Sequence, residues 1–187
     1  MNSHFEAFKT RAEAVSAEVH RFAGKEEALS FVLDFLKETG VSEAPQCGAV
    51  WAADNFLDET EKVGLRAQVP GITFEVTREY SAASKVGISQ VDWAIAGTGT
   101  LVQDATGVEK RLVSTLPPIH VALIGADRIL EDMGGVLERL RPDQLNYISF
   151  ITGPSRTADI ERVLTIGVHG PGRLIIVVVD QFEEVTS

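Results

Sequence analysis

Leu174-Ile175-Ile176-Val177-Val178-Val179 is a run of six apolar residues near the end of the chain, and Val121-Ala122-Leu123-Ile124 is a second such run. A strand that is apolar on every residue is covered on both faces, which is typical of parallel sheets. Apolar residues follow helical spacing over 127–140, and a further helix is expected over about 158–166. This alternation of strands and helices predicts an α/β fold with a mostly parallel sheet and flanking helices.

The N-terminal stretch carries six apolar residues spaced alternately by three and four positions: Phe5, Phe8, Ala12, Val15, Val19 and Phe22. This spacing predicts one stripe along a helix, and a second helix is expected over 26–38. We therefore expect residues 1–41 to form a helical extension that packs on an α/β domain of residues 42–187. The stripe has two interpretations, because it could pack on the body of the same chain or form the contact of a homodimer.

The 187 residues suffice for one domain with a sizeable core, and 44% of them are hydrophobic. The formal net charge is -10 at pH 7. An acidic surface repels the phosphates of nucleic acids and the headgroups of anionic membranes. We therefore expect neither nucleic acid nor a membrane as a partner.

Cys47 is the single cysteine of the sequence. One thiol forms no internal disulfide and holds no iron–sulfur cluster, and a buried, inert thiol is the expected role. The sequence shows no dinucleotide-binding glycine pattern and no zinc-ligand spacing, so we expect no cofactor and no metal. It also begins without a signal peptide and has no apolar stretch of membrane-spanning length, which predicts a cytoplasmic protein.

A first candidate binding segment follows a predicted strand, where ligands gather in α/β sheets. It contains Gly153, Ser155, Arg156, Thr157 and Asp159. At the entrance of a helix, Thr157 would act as N-cap, Asp159 would suit the helix dipole, and free backbone N–H groups would favour an anion. Arg156 would add a bidentate contact to a carboxylate or phosphate. Alternatively, Thr157 and Asp159 only cap the helix and Arg156 pairs with a surface acid.

A second candidate segment is Gly97-Thr98-Gly99-Thr100, which offers two hydroxyls and a close backbone approach. No Gly-Lys-Ser/Thr follows, so it is not a Walker loop. The alternative is a bulge or tight turn within a hairpin. His169 lies between glycines and could titrate near neutrality, although a structural loop histidine is the other interpretation. His120 opens a strand, and we expect it to be structural.

Three segments together resemble the lactate-utilisation protein C family, whose domain is called the LUD domain. They are residues 96–102, residues 116–125, and residues 153–161 with 167–171. The resemblance implies a fold like that of ribose-phosphate isomerases, glucosamine-phosphate deaminases and CoA transferases. It also implies a role in oxidising L-lactate to pyruvate with two iron–sulfur partner proteins. One departure is Gly97, because an acidic residue usually precedes the Thr-Gly-Thr of this family.

Two functions remain open at this point. In the first, the chain is a subunit of a cytoplasmic lactate-oxidising system that carries a small-anion pocket but no redox centre. In the second, it is a stand-alone enzyme acting on a phosphorylated or CoA-linked small molecule, by analogy with the fold. The resemblance provides no catalytic residue, so the sequence leaves open whether the chain catalyses a reaction by itself.

Overall fold

The computed structural model of the protein describes residues 3–52, 55–141, 143, 145–158, 164–166 and 170–182. The helices are α1 (Ser3–Ala14), α2 (Lys25–Glu38), α3 (Glu59–Gln68), α4 (Arg78–Ala82), α5 (Val108–Thr115) and α6 (Met133–Leu137). The strands are β1 (Glu18–Gly24), β2 (Gly48–Trp51), β3 (Ile72–Thr73), β4 (Ser84–Gln90), β5 (Trp93–Ile95), β6 (Thr100–Asp104), β7 (Ile119–Gly125), β8 (Ile129–Leu130), β9 (Ile148–Ile151), β10 (Arg156–Ala158), β11 (Leu164–Ile166) and β12 (Arg173–Gln181).

Six strands form the central sheet in the order β1-β12-β7-β4-β2-β3. Every neighbouring pair in this sheet is parallel. The two apolar runs lie in β7 and β12, which are neighbours inside the sheet and are buried along almost their whole length. The prediction of an α/β fold with a mostly parallel sheet and flanking helices is confirmed.

Different layers cover the two faces of the central sheet. On one face, Val32 and Leu36 of α2 and Leu65 of α3 pack against alternate residues of β7 and β12. On the other face, Phe8 of α1 and Leu101 of β6 pack against the intervening residues of the same strands. Since successive side chains of a strand point to opposite faces, apolar residues at every position fill both layers.

The second layer is built on a smaller sheet of four strands in the order β8-β5-β6-β9. β5 and β6 form an antiparallel hairpin, and β9 pairs antiparallel with β6. Ala94 and Leu101 of the hairpin face the central sheet. Ile95 and Val102 point to the opposite side, where they pack against Val136 of α6.

The N-terminal stretch is helical only as far as Ala14, and β1 then joins the edge of the central sheet beside β12. Val19 packs in the layer that contains α1, whereas Phe22 packs against the layer that contains α2. Two residues three apart in a strand lie on opposite faces, so their spacing resembled a helical stripe by coincidence. The prediction of one helix over residues 5–22 is therefore wrong beyond α1. The division into residues 1–41 and 42–187 stays a prediction.

Two further helices differ from the prediction. The helix expected over 158–166 is wrong at both ends, because β10 and β11 pair antiparallel with Arg156 opposite Ile166. The helix expected over 127–140 is reduced to α6, which follows a 3-10 turn at Ala126–Arg128 and the short strand β8. The glycine pair of α6, Gly134-Gly135, is a poor helix former and is consistent with so short an element.

Candidate functional site

The two predicted binding segments lie side by side. Thr98 Oγ1 donates a hydrogen bond to Thr100 Oγ1 at 2.7 Å, and Thr100 Oγ1 lies 2.8 Å from Thr152 Oγ1. Thr152 directly precedes Gly153, so this chain of three hydroxyls connects the β5–β6 turn to the segment that follows β9. Thr98 and Thr152 are exposed and Thr100 is buried. The two outer hydroxyls are therefore accessible to a ligand.

Both segments contact the C-terminal end of α1 through a glycine. Gly99 has a φ of +67° and Gly153 a φ of +70°, a region that residues with a Cβ rarely adopt. A Cβ on Gly99 would collide with the backbone at Ala12, and one on Gly153 would collide with the carbonyl of Val15. The glycines therefore allow both segments to approach the same turn. Residues 97–100 form the turn of the β5–β6 hairpin, and their role in binding stays a prediction.

Ser16 ends α1 in an unusual conformation and contacts Arg156. Its φ is +72°, and the bonds from Ser16 N to Glu13 O and from Ala17 N to Ala12 O complete a Schellman motif, in which this position is usually glycine. Arg156 Nη2 donates to Ser16 Oγ at 2.6 Å, and the guanidinium remains exposed. Arg156 thus lies at the same end of α1 as the threonine hydroxyls, where its charge also complements the helix dipole.

The anion site was predicted at the entrance of a helix, and the structure has a strand at that position. Thr157 lies on β10, opposite Thr165 of β11, and not at the entrance of a helix. The expected set of free N–H groups at a helix N-terminus is therefore wrong at this position. Ser155 is partly buried, and its N–H donates to Pro171 O at 2.8 Å. Asp159 and His169 lie outside the described residues.

A buried polar cluster lies beside these segments, between the two sheets. His120 Nε2 lies 2.9 Å from Ser89 Oγ, and Ser89 Oγ donates to Gln103 Oε1 at 2.9 Å. Gln103 Nε2 in turn lies 3.4 Å from Ser114 Oγ. The single hydrogen of the Ser89 hydroxyl is used on Gln103, so His120 Nε2 carries the proton that it shares with Ser89. Nδ1 of His120 is then an unprotonated acceptor.

His120 Nδ1 has no hydrogen-bond partner, and the residue is only 1% exposed. Burial lowers the pKa of His120 to about 4, so the imidazole is neutral at neutral pH. The ring borders a cavity of about 30 Å³ whose wall includes Ser114, Gly153 and Ser155. This space accommodates one water molecule, which Nδ1 would bind as acceptor, but not a larger anion.

The sequence predicts a structural role for His120 but not the polar cluster to which it belongs. A signal was present in the sequence, because His120 is the one polar side chain in a strand that is otherwise apolar from Ile119 to Ile124. A polar group within a fully buried strand requires buried partners. Ser89, Gln103 and Ser114 lie on three other elements, and no spacing in the sequence connects them to His120.

Within the described ranges, no group of histidine, cysteine or acidic side chains is placed to hold a metal ion. Cys47 is a free and partly buried thiol. None of the helices in the described part of the chain combines the length and the apolar character needed to cross a membrane.

Comparison with known proteins finds relatives that match just over half of this chain. Lactate utilization protein C of an Exiguobacterium species is 38% identical over 111 residues, covering 56% of this chain and 48% of that protein. The protein of the same name from a Geobacillus species is 36% identical over 107 residues, covering 54% and 44%. This chain therefore matches about half the length of these relatives.

A solved structure, a DUF162 family protein from Deinococcus radiodurans, superposes with a TM-score of 0.59 and 16% identity, covering 94% of this chain and 96% of the other. At this identity the likeness concerns the fold alone, and it agrees with the α/β architecture described above. The LUD domain matches residues 5–179, which include the central sheet from β1 through most of β12, the small sheet and both threonine-containing segments. The chain therefore belongs to the LUD domain family.

Proposed function

We propose that the protein acts in lactate utilisation, as a cytoplasmic component of a system that oxidises L-lactate to pyruvate. Support comes from its family and from the several relatives named lactate utilization protein C, which are 31–38% identical to it. Those relatives are about twice as long as the matched region, so the role assigned to the whole relative reaches this chain as a proposal.

The chain contributes a site for a small anion, and iron–sulfur partner proteins accept the electrons. Its one cysteine supplies fewer thiolates than a cluster requires. Oxidation of lactate removes two electrons and two protons, so a subunit that binds lactate without a redox centre depends on a partner as electron acceptor. The expected spectroscopic result is a purified chain without the visible absorption of a cluster or a flavin.

The observation that carries the anion site is that Arg156 and the two threonine-containing segments all contact the C-terminal end of α1. A guanidinium binds a carboxylate through charge-assisted hydrogen bonds. The exposed Thr98 hydroxyl, whose hydrogen is used on Thr100, can accept from a 2-hydroxyl group on the same ligand, and the exposed Thr152 hydroxyl can donate to it or accept from it. In the unliganded arrangement Arg156 donates to Ser16, a neutral partner that a carboxylate would replace. Of the remaining predicted residues, Gly99, Thr100, Gly153 and Ser155 shape the backbone around this position.

The test is reconstitution of lactate oxidation with the iron–sulfur proteins of the same organism, in the presence and absence of this chain. We expect lactate-dependent reduction of the partners to require the chain and to fall when Arg156 is replaced by alanine. Unchanged lactate oxidation without the chain contradicts the proposal. In that case, turnover of a phosphorylated or CoA-linked compound by the chain alone would identify it as a stand-alone enzyme.

A further inference from the structure

A cavity of about 330 Å³ lies on the outer face of the small sheet, away from the central sheet and from the end of α1. Trp93 of β5 and Val102 of β6 are cross-strand partners and form its floor together with Leu140, which follows α6. Val102 is fully buried, whereas Trp93 and Leu140 are partly accessible. The floor is thus apolar, and the volume is in the range of pockets that bind small organic molecules.

Two arginines on the wall lack an acidic partner among the described residues. Arg139 Nη1 donates to Gly135 O at 2.9 Å, and its guanidinium lies 5.6 Å from the centroid of the Trp93 ring. Arg141 is exposed, and its guanidinium has no described polar contact, although its backbone carbonyl accepts from Leu145 N at 3.1 Å. The protein as a whole is acidic, so two unpaired guanidinium groups at one cavity are a local excess of positive charge. This excess favours an anionic group on the ligand.

The negative charge in the cavity that remains uncompensated is the carboxylate of Asp104, and one of its oxygens can still accept a hydrogen bond. Asp92 is already compensated, because its Oδ2 accepts from Asp104 N at 2.6 Å and lies 3.4 Å from Lys110 Nζ. Asp104 uses Oδ1 to accept from Thr106 N at 2.9 Å, and no described donor contacts its Oδ2. A partly buried carboxylate oxygen accepts a hydrogen bond from a hydroxyl or an ammonium group.

We propose that this cavity binds an aromatic carboxylate that also carries a hydroxyl group. The aromatic ring packs on the accessible parts of Trp93 and Leu140, the carboxylate contacts Arg139 and Arg141, and the hydroxyl contacts Asp104. After Lys110 compensates Asp92, the side chains around the cavity have a net charge of +1, which matches a ligand with one negative charge. This site is separate from the proposed lactate site, since it shares no residue with it.

The experiment follows the indole N–H signal of Trp93 by NMR during titration of the full chain with 3-phenyllactate. The chain has two tryptophans, and the Trp93→Phe variant assigns the signals. Trp51 is buried on the opposite side of the central sheet and serves as an internal reference. We expect a saturable shift of Trp93 alone. 3-Phenylpropanoate, which lacks only the hydroxyl, and 2-phenylethanol, which lacks only the carboxylate, should bind about ten-fold or more weakly.

Two variants test the charges. Arg141→Gln should weaken binding of 3-phenyllactate about ten-fold or more, whereas Arg78→Gln, at an exposed arginine on α4, should not change it. Asp104→Asn should reduce the preference for 3-phenyllactate over 3-phenylpropanoate. The proposal is overturned if Trp93 shows no saturable shift up to about 10 mM ligand. Equal affinities for the three probes, or an unchanged affinity of Arg141→Gln, also overturn it. Because the isolated chain is used and lactate oxidation is not measured, these results are independent of the proposed function.

Discussion

His120 is a buried histidine whose imidazole is uncharged at neutral pH. Its Nε2 is satisfied by Ser89, its Nδ1 has no described partner, and burial lowers its pKa from 6.5 to about 4. A buried polar network is stable only when its members are matched, and protonation of Nδ1 would place an unpaired charge between two sheets. The residue therefore couples the stability of the fold to pH.

We expect the free energy of unfolding to fall by about 3 kcal/mol because of His120 as the pH is lowered from 6.5 to about 4. The folded state has the depressed pKa, so the unfolded chain binds more protons in this interval and stability increases with pH. Above 6.5 the contribution is complete. Urea denaturation at several pH values, together with the pKa of His120 from an NMR titration, measures the effect.

The matched control is His120→Gln, which keeps a side-chain donor for Ser89 but does not titrate. The carboxylates of the chain titrate in both proteins, so the difference between the two pH profiles isolates His120. Parallel profiles for the two proteins would show that His120 is not held neutral by the fold.

Replacement of Arg156 should affect ligand binding much more than the stability of the fold. Arg156 is exposed, and its described contact is a single hydrogen bond to Ser16. Replacement by alanine should therefore change the free energy of unfolding by about 0.5 kcal/mol or less. The same change should weaken binding of a small anion about ten- to a hundred-fold, because a charge-assisted hydrogen bond is lost.

Calorimetric titration with L-lactate and with inorganic phosphate measures this prediction, and Arg78→Ala is the control for a general loss of positive charge. If Arg156→Ala is less stable but binds both anions with unchanged affinity, Arg156 has only a structural role at the end of α1.

At the scale of elements, α1 organises the candidate site although it carries none of the predicted site residues. Its C-terminal turn is the surface against which Gly99 and Gly153 pack, and Ser16 extends this surface to Arg156. The two glycines come from the β5–β6 hairpin and from the segment after β9. Replacing either glycine by alanine would therefore add a methyl group that pushes its segment away from α1.

Gly99→Ala and Gly153→Ala should each lower the free energy of unfolding by about 2 kcal/mol or more. Part of this cost is the positive φ, about 1–2 kcal/mol, and the remainder is the collision with the backbone of α1. Gly64→Ala, in α3, is the control of opposite sign, because nothing lies within 4 Å of its Cβ position and alanine favours a helix by up to about 1 kcal/mol. Equal urea midpoints for Gly99→Ala, Gly153→Ala and Gly64→Ala would contradict the close packing.

The sequence predicted those elements whose pattern is dictated by burial. The apolar runs of β7 and β12 were recognised because both faces of each are covered. β1 was missed because it lies at the sheet edge, where Val19 and Phe22 face different layers and exposed Glu18 and Arg21 interrupt the pattern. β10 and β11 were missed because the sequence over 158–166 has helical spacing, and strand pairing overrode that local preference.

The sequence indicated the two segments of the candidate site but not their arrangement, and their role in binding stays a prediction. Thr100 and Gly153 were chosen from their local composition, and the contact of Thr100 with Thr152 brings their segments together. No spacing in the sequence could predict this contact, because it depends on the antiparallel pairing of β6 with β9. The cavity at Trp93 was not foreseen for the same reason, since its floor and its wall come from distant parts of the chain.

At the scale of the whole molecule, α1 and β1 close one side of the fold. Phe5, Phe8 and Val19 are buried within the chain itself, which supports the interpretation that the N-terminal stripe packs on the body. β1 also covers one edge of β12, and Arg173 binds Glu18 across this pair at 2.9 and 3.0 Å. Such partly exposed ion pairs contribute little to stability, so the apolar packing dominates.

A chain that starts at Lys25 should therefore be insoluble or markedly less stable, because it exposes the apolar layer beneath α1 and the unpaired edge of β12. Sedimentation measures the solubility of the shortened chain, and urea denaturation measures its stability.

In the full-length chain, Phe8→Ala should lower the free energy of unfolding by about 3–5 kcal/mol, because Phe8 is fully buried. Phe150→Ala, at a phenylalanine that is 46% exposed, should lower it by about 1 kcal/mol or less. A soluble shortened chain with unchanged stability, or equal effects of the two substitutions, would mean that α1 and β1 are an appendage rather than part of the core.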